Sequence, residues 1–147
     1  MKINVKIKLT RGAECPIYAT DGSAAADLRA MIDEPYTLMP GERHGFPSGV
    51  AISPESSGFV AIIAGRSGLG AKHGITLSNG IGVVDSDYRG EIVVWLINNS
   101  DEPYTVEPGE RVGQMMFVPV FSANFIPCED LDETGRGTGG FGSTGRN

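Results

Sequence analysis

An internal repeat constrains the fold of this chain more than any other feature of the sequence. Residues 33–43 read DEPYTLMPGER and residues 101–111 read DEPYTVEPGER, so nine of the eleven positions are identical. Each copy holds a proline, a short apolar stretch and a Pro-Gly pair, which predicts a strand, a type II turn and a second strand. Two copies 68 residues apart are too few for a solenoid and indicate pseudo-symmetry inside one β-domain.

Short strands are predicted along most of the chain. Residues 2–9 alternate polar and apolar side chains, the period of a half-buried strand. Further strands are expected at 23–30, 49–53, 58–64, 75–77, 81–84, 92–97 and 112–120. One short helix is expected near residues 67–73, between glycine-flanked ends. Because 21 glycines and 9 prolines separate these segments, the chain is predicted to form an all-β sandwich or barrel.

Size and composition limit the class of protein. A length of 147 residues favours one domain, and we expect it to span 1–130 with a mobile, glycine-rich tail at 131–147. The net charge of −6 argues against a nonspecific nucleic-acid binder. Cys15 and Cys128 cannot form a disulfide scaffold, and no run approaches the ~20 apolar residues of a membrane helix. A soluble, cytoplasmic protein without nucleic-acid or membrane partners is therefore expected.

The stretch Gly82-Val83-Val84-Asp85-Ser86-Asp87-Tyr88-Arg89-Gly90 is the richest in chemistry. Apolar runs lead into it and out of it, which is the pattern of a β-hairpin with a functional tip. A turn needs one Asp or Asn and a Gly. The second carboxylate, the phenol and the guanidinium exceed that need and indicate a function.

Three other places could carry chemistry. Arg66, Ser67 and Gly68 offer a guanidinium, a hydroxyl and free N–H groups for a phosphate, although Ser67 could simply cap a helix. Gln114 lies within an apolar strand, where it either satisfies the core or faces a ligand for which Gly113 leaves room. Asp27, judged on its own segment, is read as a surface acid or a cap.

The tail and the possible metal sites leave alternatives open. The segment 136–143 reads RGTGGFGS and is either a solvated tail or a lid with Phe141 as its anchor. A triad of Ser67, His73 and Asp85 rests on residue types alone. No His or Cys spacing supports a metal site, whereas carboxylates together with phosphates suit Mg²⁺.

Five blocks in chain order carry a common pattern: Ala25-Ala26-Asp27-Leu28-Arg29, 65–69 (GRSGL) with 72–75 (KHGI), Asn79 through Gly90, 108–111 (PGER) with Gln114-Met115, and 136–145 (RGTGGFGSTG). Together they resemble the trimeric deoxyuridine triphosphatase (dUTP pyrophosphatase) family. The resemblance implies a distorted jelly-roll β-barrel that assembles as a homotrimer. Three active sites would lie at subunit interfaces, each completed by a neighbour's tail. The implied reaction is Mg²⁺-assisted hydrolysis of dUTP to dUMP and pyrophosphate.

The resemblance also implies roles for individual residues. Asp85 would deprotonate the attacking water, Tyr88 would pack on the deoxyribose, and Asp27 would lie near the water shell of the metal. Asn79 would read uracil together with main-chain groups of the hairpin, including those of Gly82 and Val83, and Val93 would lie near the base. The phosphates would be held by Arg66, Ser67, Gly68 and Gln114. The tail residues Arg136, Phe141, Gly142, Ser143 and Thr144 would cover the nucleotide, with Phe141 stacked on the base.

The chain departs from the family pattern twice. Gly65 stands where a proline is usual, and Ala26 stands where a glycine is common. Neither change removes a reacting group, so tuning is expected. Three rival functions remain: a deoxycytidine triphosphate deaminase, a regulatory protein that docks a partner, and a structural β-domain without a ligand.

Overall fold

The computed structural model describes residues 2–140, which are built from short strands and one helix. The strands form four antiparallel sheets, ordered β1-β5, β3-β10, β2-β11-β6-β8 and β4-β9-β7. The elements are β1 (Val5–Leu9), β2 (Ala26–Arg29), β3 (Tyr36–Leu38), β4 (Arg43–Pro47), β5 (Val50–Pro54), β6 (Phe59–Ala64), α1 (Ser67–His73), β7 (Ile75–Leu77), β8 (Gly82–Val84), β9 (Val93–Asn98), β10 (Tyr104–Val106) and β11 (Arg111–Pro119). The predicted strands and the single helix near 67–73 are thereby confirmed.

The two repeat copies form equivalent units that pair with each other. β3 and β10 are antiparallel neighbours, and the hydroxyls of Thr37 and Thr105 lie 2.9 Å apart. In each unit the tyrosine hydroxyl donates to the glutamate six residues later. The glycine of each Pro-Gly turn has a positive φ, 78° and 75°, which favours glycine there. The predicted pseudo-symmetry is confirmed.

One hydrophobic core lies between the sheets. Its fully buried side chains include Phe46, Leu28 and Leu38. Asn98 is also fully buried, and its amide donates to the carbonyls of Leu38 and Glu102. Burial of this polar group is therefore compensated by hydrogen bonds.

The predicted β-hairpin of β8 and β9 is wrong. Within residues 2–140, β8 pairs only with β6, whereas β9 lies between β4 and β7. Just before β9, Ile92 donates its N–H to the Val50 carbonyl and accepts from the N–H and hydroxyl of Ser48. These bonds attach the start of β9 to the β4–β5 turn. The chain from 85 to 92 therefore connects two sheets.

The chain beyond β11 contains no helix or strand as far as residue 140. Its large apolar side chains are exposed: Phe121 by 98%, Phe125 by 90% and Ile126 by 78%. The division at residue 130 stays a prediction. The predicted contacts of Phe141, Gly142, Ser143 and Thr144 lie outside the described residues. Within residues 2–140, no helix has the length and apolar character needed to cross a membrane.

Candidate active site

An open cleft of about 310 Å³ separates β8 from β9. It exists because the two strands belong to different sheets and do not close on each other. Five residues that were predicted to contact a nucleotide line it: Asn79, Gly82, Val83, Tyr88 and Val93. The remaining lining residues are Ile63, Leu77, Val84, Glu91, Ile92, Val94 and Trp95. Its size suits a small ligand.

A tight turn after β7 places Asn79 at the cleft. Gly80 has a φ of 74° and donates its N–H to the Leu77 carbonyl. The Ser78 N–H donates to the Trp95 carbonyl at 2.9 Å, which ties this turn to β9. The turn is thus fixed to the β9 wall of the cleft.

Tyr88 is held by its own loop. Its N–H donates to the Asp85 carbonyl at 3.1 Å, and its hydroxyl donates to the Glu91 carbonyl at 3.2 Å. The ring lies against the backbone of Gly90, where an added Cβ would overlap the phenol. Glu91 is itself anchored, since its carboxylate accepts from Arg11 and from the Gly49 N–H.

The two carboxylates of this loop are exposed. Residues 2–140 contain three ion pairs, and none of them involves Asp85 or Asp87. Arg89 instead donates to the Ser86 and Tyr88 carbonyls, so it braces the loop. The Asp85 carboxylate is therefore available to a ligand or a water molecule.

A second group of predicted residues surrounds Asp27, which is not an isolated surface acid. One carboxylate oxygen of Asp27 accepts from Nε of Arg66 at 3.2 Å, and the other accepts from Nη1 of Arg111 at 3.1 Å. All three side chains are partly exposed. Sequence reasoning assigned no role to Arg111.

Ser67 and Gly68 are exposed at the start of α1. The residue that caps this helix is Arg66, and no side chain within residues 2–140 makes a capping hydrogen bond, so the interpretation of Ser67 as a cap is wrong. The first N–H groups of a helix lack internal partners. His73 lies at the other end of α1 with its ring beside Tyr104. The helix thus separates Ser67 from His73 by about 9 Å, too far for a triad.

Gln114 is half-buried and donates its amide to the Gly65 carbonyl at 2.9 Å. It therefore braces the loop that carries Arg66. The expectation that Gly113 leaves room for a ligand is wrong. Gly113 is buried, and an added Cβ would lie 3.1 Å from Val94 in the core. At Gly65 an added Cβ would meet only the Leu77 nitrogen, at 3.9 Å, so glycine is not required there.

Apart from Asp85, which lies on the exposed loop beside the cleft but does not line it, and Arg136, the predicted residues within 2–140 form two groups, which share no residue. One lines the cleft, and the other comprises Asp27, Arg66 and Gln114 with the exposed start of α1. Arg136 joins neither group within residues 2–140, where its guanidinium donates to the Gly139 carbonyl. No cluster of three or more His, Cys, Asp or Glu residues that could hold a metal is present in that range.

Comparisons with known proteins agree on one family. The dUTPase family model matches residues 11–145. The deoxyuridine 5'-triphosphate nucleotidohydrolase of Desulfitobacterium hafniense is 49% identical over 146 residues, or 97% of each chain. The enzyme of the same name from Hahella chejuensis is 52% identical over 130 residues, or 88% of this chain and 86% of that relative.

Solved structures show the same fold. A variant of the Staphylococcus bacteriophage 80alpha dUTPase with dUpNHpp superimposes with a TM-score of 0.82 at 22% identity, covering 97% of this chain and 98% of that one. A variant of the phage phi11 dUTPase, described with a structural Mg(II) ion, superimposes with a TM-score of 0.78 at 19% identity over 88% of this chain and 99% of that one. The all-β, jelly-roll-like fold class is confirmed, and the chain belongs to the dUTPase family.

Proposed function

We propose that this protein hydrolyses dUTP to dUMP and pyrophosphate. The observation that carries the proposal is the cleft between β8 and β9, which combines Asn79 and Tyr88 with the exposed Asp85 of the adjoining loop. The family membership and the names of the relatives support the same reaction. In a cell, this reaction keeps uracil out of DNA and supplies dUMP for dTMP synthesis.

The free edge of β8 would read the base. Because β8 has a strand partner on one edge only within residues 2–140, peptide groups on its other edge have no strand to bond. In the proposal, main-chain groups of Gly82 and Val83 pair with uracil, Asn79 adds its side-chain amide, and Val93 forms a wall. Cytosine would leave such groups unpaired, and unpaired buried polar groups discriminate strongly between ligands.

The ring of Tyr88 would read the sugar. It is fixed by its hydrogen bond to Glu91 and by contact with Gly90. A ring held in this way can pack on deoxyribose and leave no space for a 2′-hydroxyl. The proposed site therefore selects deoxynucleotides by shape.

Asp85 would act as the general base. Its carboxylate is exposed and forms none of the ion pairs present within residues 2–140. It would take a proton from a water molecule whose oxygen attacks the α-phosphorus. The bond between the α-phosphorus and the bridging oxygen then breaks, and pyrophosphate leaves with the bonding electron pair.

The group around Asp27 would bind the phosphates. In the proposal, the guanidinium of Arg66, the hydroxyl of Ser67, the N–H of Gly68 and the amide of Gln114 contact phosphate oxygens. Mg²⁺ held mainly by those oxygens would offset their negative charge. Asp27 would contact the metal only through water. Its carboxylate already accepts two hydrogen bonds and still has lone pairs that can accept a third, from a water molecule bound to the metal.

We propose a homotrimer whose active sites lie between subunits. The cleft group and the Asp27 group are separate on one chain, which supports this assembly. A neighbouring subunit can place its own Asp27 group beside the cleft, or its own cleft beside the Asp27 group. The exposed apolar segment that contains Phe121, Phe125 and Ile126 supports an interface, since such exposed apolar surface usually marks one. Arg136, Phe141, Gly142, Ser143 and Thr144, in the proposed mobile tail 131–147, would close over a neighbour's nucleotide, with Phe141 on the base.

Replacement of Asp85 by Asn tests the reaction. We expect Asp85→Asn to lower kcat about 1000-fold, since a general base typically contributes ~10²–10⁴-fold. The affinity for the non-hydrolysable α,β-imido analogue of dUTP should change by less than about threefold, because the amide keeps the shape of the carboxylate. Pyrophosphate release and calorimetric titration measure the two quantities.

Asp87→Asn is the matched control, since it removes the other exposed, unpaired carboxylate of the same loop. It should keep turnover within about threefold of the unmodified protein. Equal loss of binding and turnover in Asp85→Asn would contradict the role of Asp85 as a base. Pyrophosphate release from dUTP, dTTP, UTP and dCTP, with and without Mg²⁺, tests the substrate, and conversion of dCTP to dUTP would indicate the deaminase instead.

A further inference from the structure

A β-bulge at the start of β11 determines where Arg111 lies. Gly113 pairs with Leu28 and Gln114 pairs with Asp27, but Arg111 pairs with Arg29, so Val112 has no partner on β2. An extra residue of this kind reverses the alternation of side chains before it. Without the bulge, Arg111 and Gln114, three positions apart, would lie on opposite faces of the sheet.

The burial pattern agrees with this reversal. Val112 and Gly113 are consecutive in sequence and both buried, while Arg111 and Gln114 are accessible. The bulge therefore places Arg111 on the outer face of the sheet, the face that carries Asp27. There its Nη1 donates to one carboxylate oxygen of Asp27, and Arg66 donates Nε to the other.

The internal repeat contains a natural comparison for Arg111. Arg43 occupies the equivalent position in the first copy and also begins a strand, β4. β4 pairs with β9 in an uninterrupted register, and Arg43 takes part in none of the three ion pairs within residues 2–140. The shared sequence therefore does not explain the contact of Arg111 with a carboxylate, whereas the bulge does.

We propose that Arg111 is a positioning residue, which acts through Asp27 to hold the guanidinium of Arg66 in place for the phosphates of the nucleotide. This inference rests on the proposed phosphate-binding role of Arg66.

Two contacts direct the Arg66 guanidinium. Its Nε donates to Asp27, and its Nη1 donates to the Arg111 carbonyl at 3.4 Å. The Asp27 carboxylate can hold Nε only if the carboxylate itself is fixed, and Arg111 supplies the second cation that fixes it. Nη2 is absent from these contacts and remains for a phosphate oxygen. Loss of the Arg111 side chain would leave Asp27 tethered on one side and free to rotate together with Arg66.

The test compares two ligands that differ only in their phosphates. Calorimetric titration with the α,β-imido analogue of dUTP reports the phosphate-dependent affinity, and titration with deoxyuridine reports the affinity for base and sugar alone. We expect Arg111→Gln to weaken binding of the imido analogue about tenfold, since a misplaced guanidinium loses part of its charge-assisted hydrogen bonding to phosphate. Deoxyuridine should be affected by less than about twofold.

Three further variants separate positioning from a general structural effect. Arg43→Gln removes the same charge from the equivalent repeat position and should alter neither affinity. Arg111→Lys should recover part of the lost affinity, because an ammonium can contact the carboxylate but lacks the planar fork of arginine. In an Asp27→Asn background, Arg111→Gln should have less than about a twofold effect on binding of the imido analogue.

Three results would each overturn the inference. They are unchanged binding of the imido analogue by Arg111→Gln, equal weakening of both ligands, and a full additional loss in the Asp27→Asn background. If Arg111→Gln does not fold, Arg111→Lys provides the same comparison of the two ligands. The variant Arg66→Gln separates a failure of the proposed phosphate site from a failure of the inference about Arg111. If Arg66→Gln binds the imido analogue normally, the proposed phosphate site itself fails, whereas a loss seen with Arg66→Gln but not with Arg111→Gln defeats this inference alone.

Discussion

The Tyr88 ring can occupy its position because residue 90 is a glycine and has no side chain. A Cβ on Gly90 would overlap the Tyr88 hydroxyl and ring, and the ring belongs to the wall of the cleft. The φ of Gly90 is not in the left-handed region. Glycine is therefore needed here for the close approach of the ring and not for the backbone conformation. In the proposed site, selection of the sugar would therefore depend on a residue that need not touch the substrate.

Gly90→Ala should weaken the discrimination between dUTP and UTP. The methyl group would displace the ring, so we expect kcat/KM for dUTP to fall about tenfold and that for UTP to fall less. Steady-state rates of pyrophosphate release from the two nucleotides measure the ratio. Gly22→Ala is the control, because an added Cβ at Gly22 meets nothing within 4 Å. An unchanged ratio in Gly90→Ala would remove the proposed role of the ring.

Much of the site could be predicted from residue types, but its connections could not. Asn79, Tyr88 and Val93 were expected at one site, and the cleft contains all three. The contact of Arg111 with Asp27 was missed because it depends on a single residue, Val112, that has no partner on β2. Glycine within a strand often marks a bulge, so Gly113 was the available signal, and it was interpreted as space for a ligand.

At the scale of elements, local patterns predicted strands well and predicted their partners poorly. β1 follows directly from the alternation of its residues, which a half-buried strand requires. Pairing of β8 with β9 was expected because they are neighbours in sequence. Instead β4 and β7 occupy both edges of β9, a competition between distant segments that no local pattern reveals.

The tyrosine–glutamate pair of the first repeat unit makes part of the stability depend on pH. Hydrogen bonds from the Tyr36 hydroxyl, at 2.6 Å, and from the Met39 N–H, at 2.8 Å, lower the pKa of Glu42. A carboxyl group whose pKa is lowered by folding stabilises the protein above its unfolded value, here about 4.5. That contribution is lost as the pH falls through the lower, folded value.

Tyr36→Phe should therefore reduce stability most at neutral pH. The difference in urea midpoint from the unmodified protein should shrink as the pH falls below about 4.5, because protonated Glu42 has less to gain from the hydroxyl. Urea titrations from pH 7 downward, at one protein concentration, measure it. Tyr18→Phe, in which an exposed hydroxyl is lost, should show no such trend. A pH-independent difference in Tyr36→Phe would argue against this coupling.

At the scale of the whole molecule, the chain has a compact part and an extended end. The apolar side chains of Phe121 and Phe125 are almost fully exposed, which is costly for an isolated chain. In the proposed trimer these side chains would be buried against a neighbouring subunit. The net charge of −6 also opposes an anionic substrate, so in the proposed site the arginines and Mg²⁺ would have to reverse the local sign of the potential.

A chain that ends at Thr134 should assemble normally and lose most of its activity. It keeps the exposed apolar segment, so its mass in solution should stay close to three times that of one chain. It lacks Arg136 and Phe141, so kcat/KM for dUTP should fall at least ~100-fold, as is typical when groups that fix a substrate are removed. Light scattering and pyrophosphate release measure the two properties. Normal hydrolysis by the shortened chain would exclude the tail as a lid.

The unpaired edge of β8 has an evolutionary consequence. A base that is read by peptide groups is read by atoms that every residue except proline possesses. Exchanges at Val83 or Val93 can reshape the walls of the cleft, but they leave the donors and acceptors of the main chain in place. In the proposed site, base selection of this kind would be insulated from most point mutations, so the lining residues could drift between lineages while a preference for uracil persists.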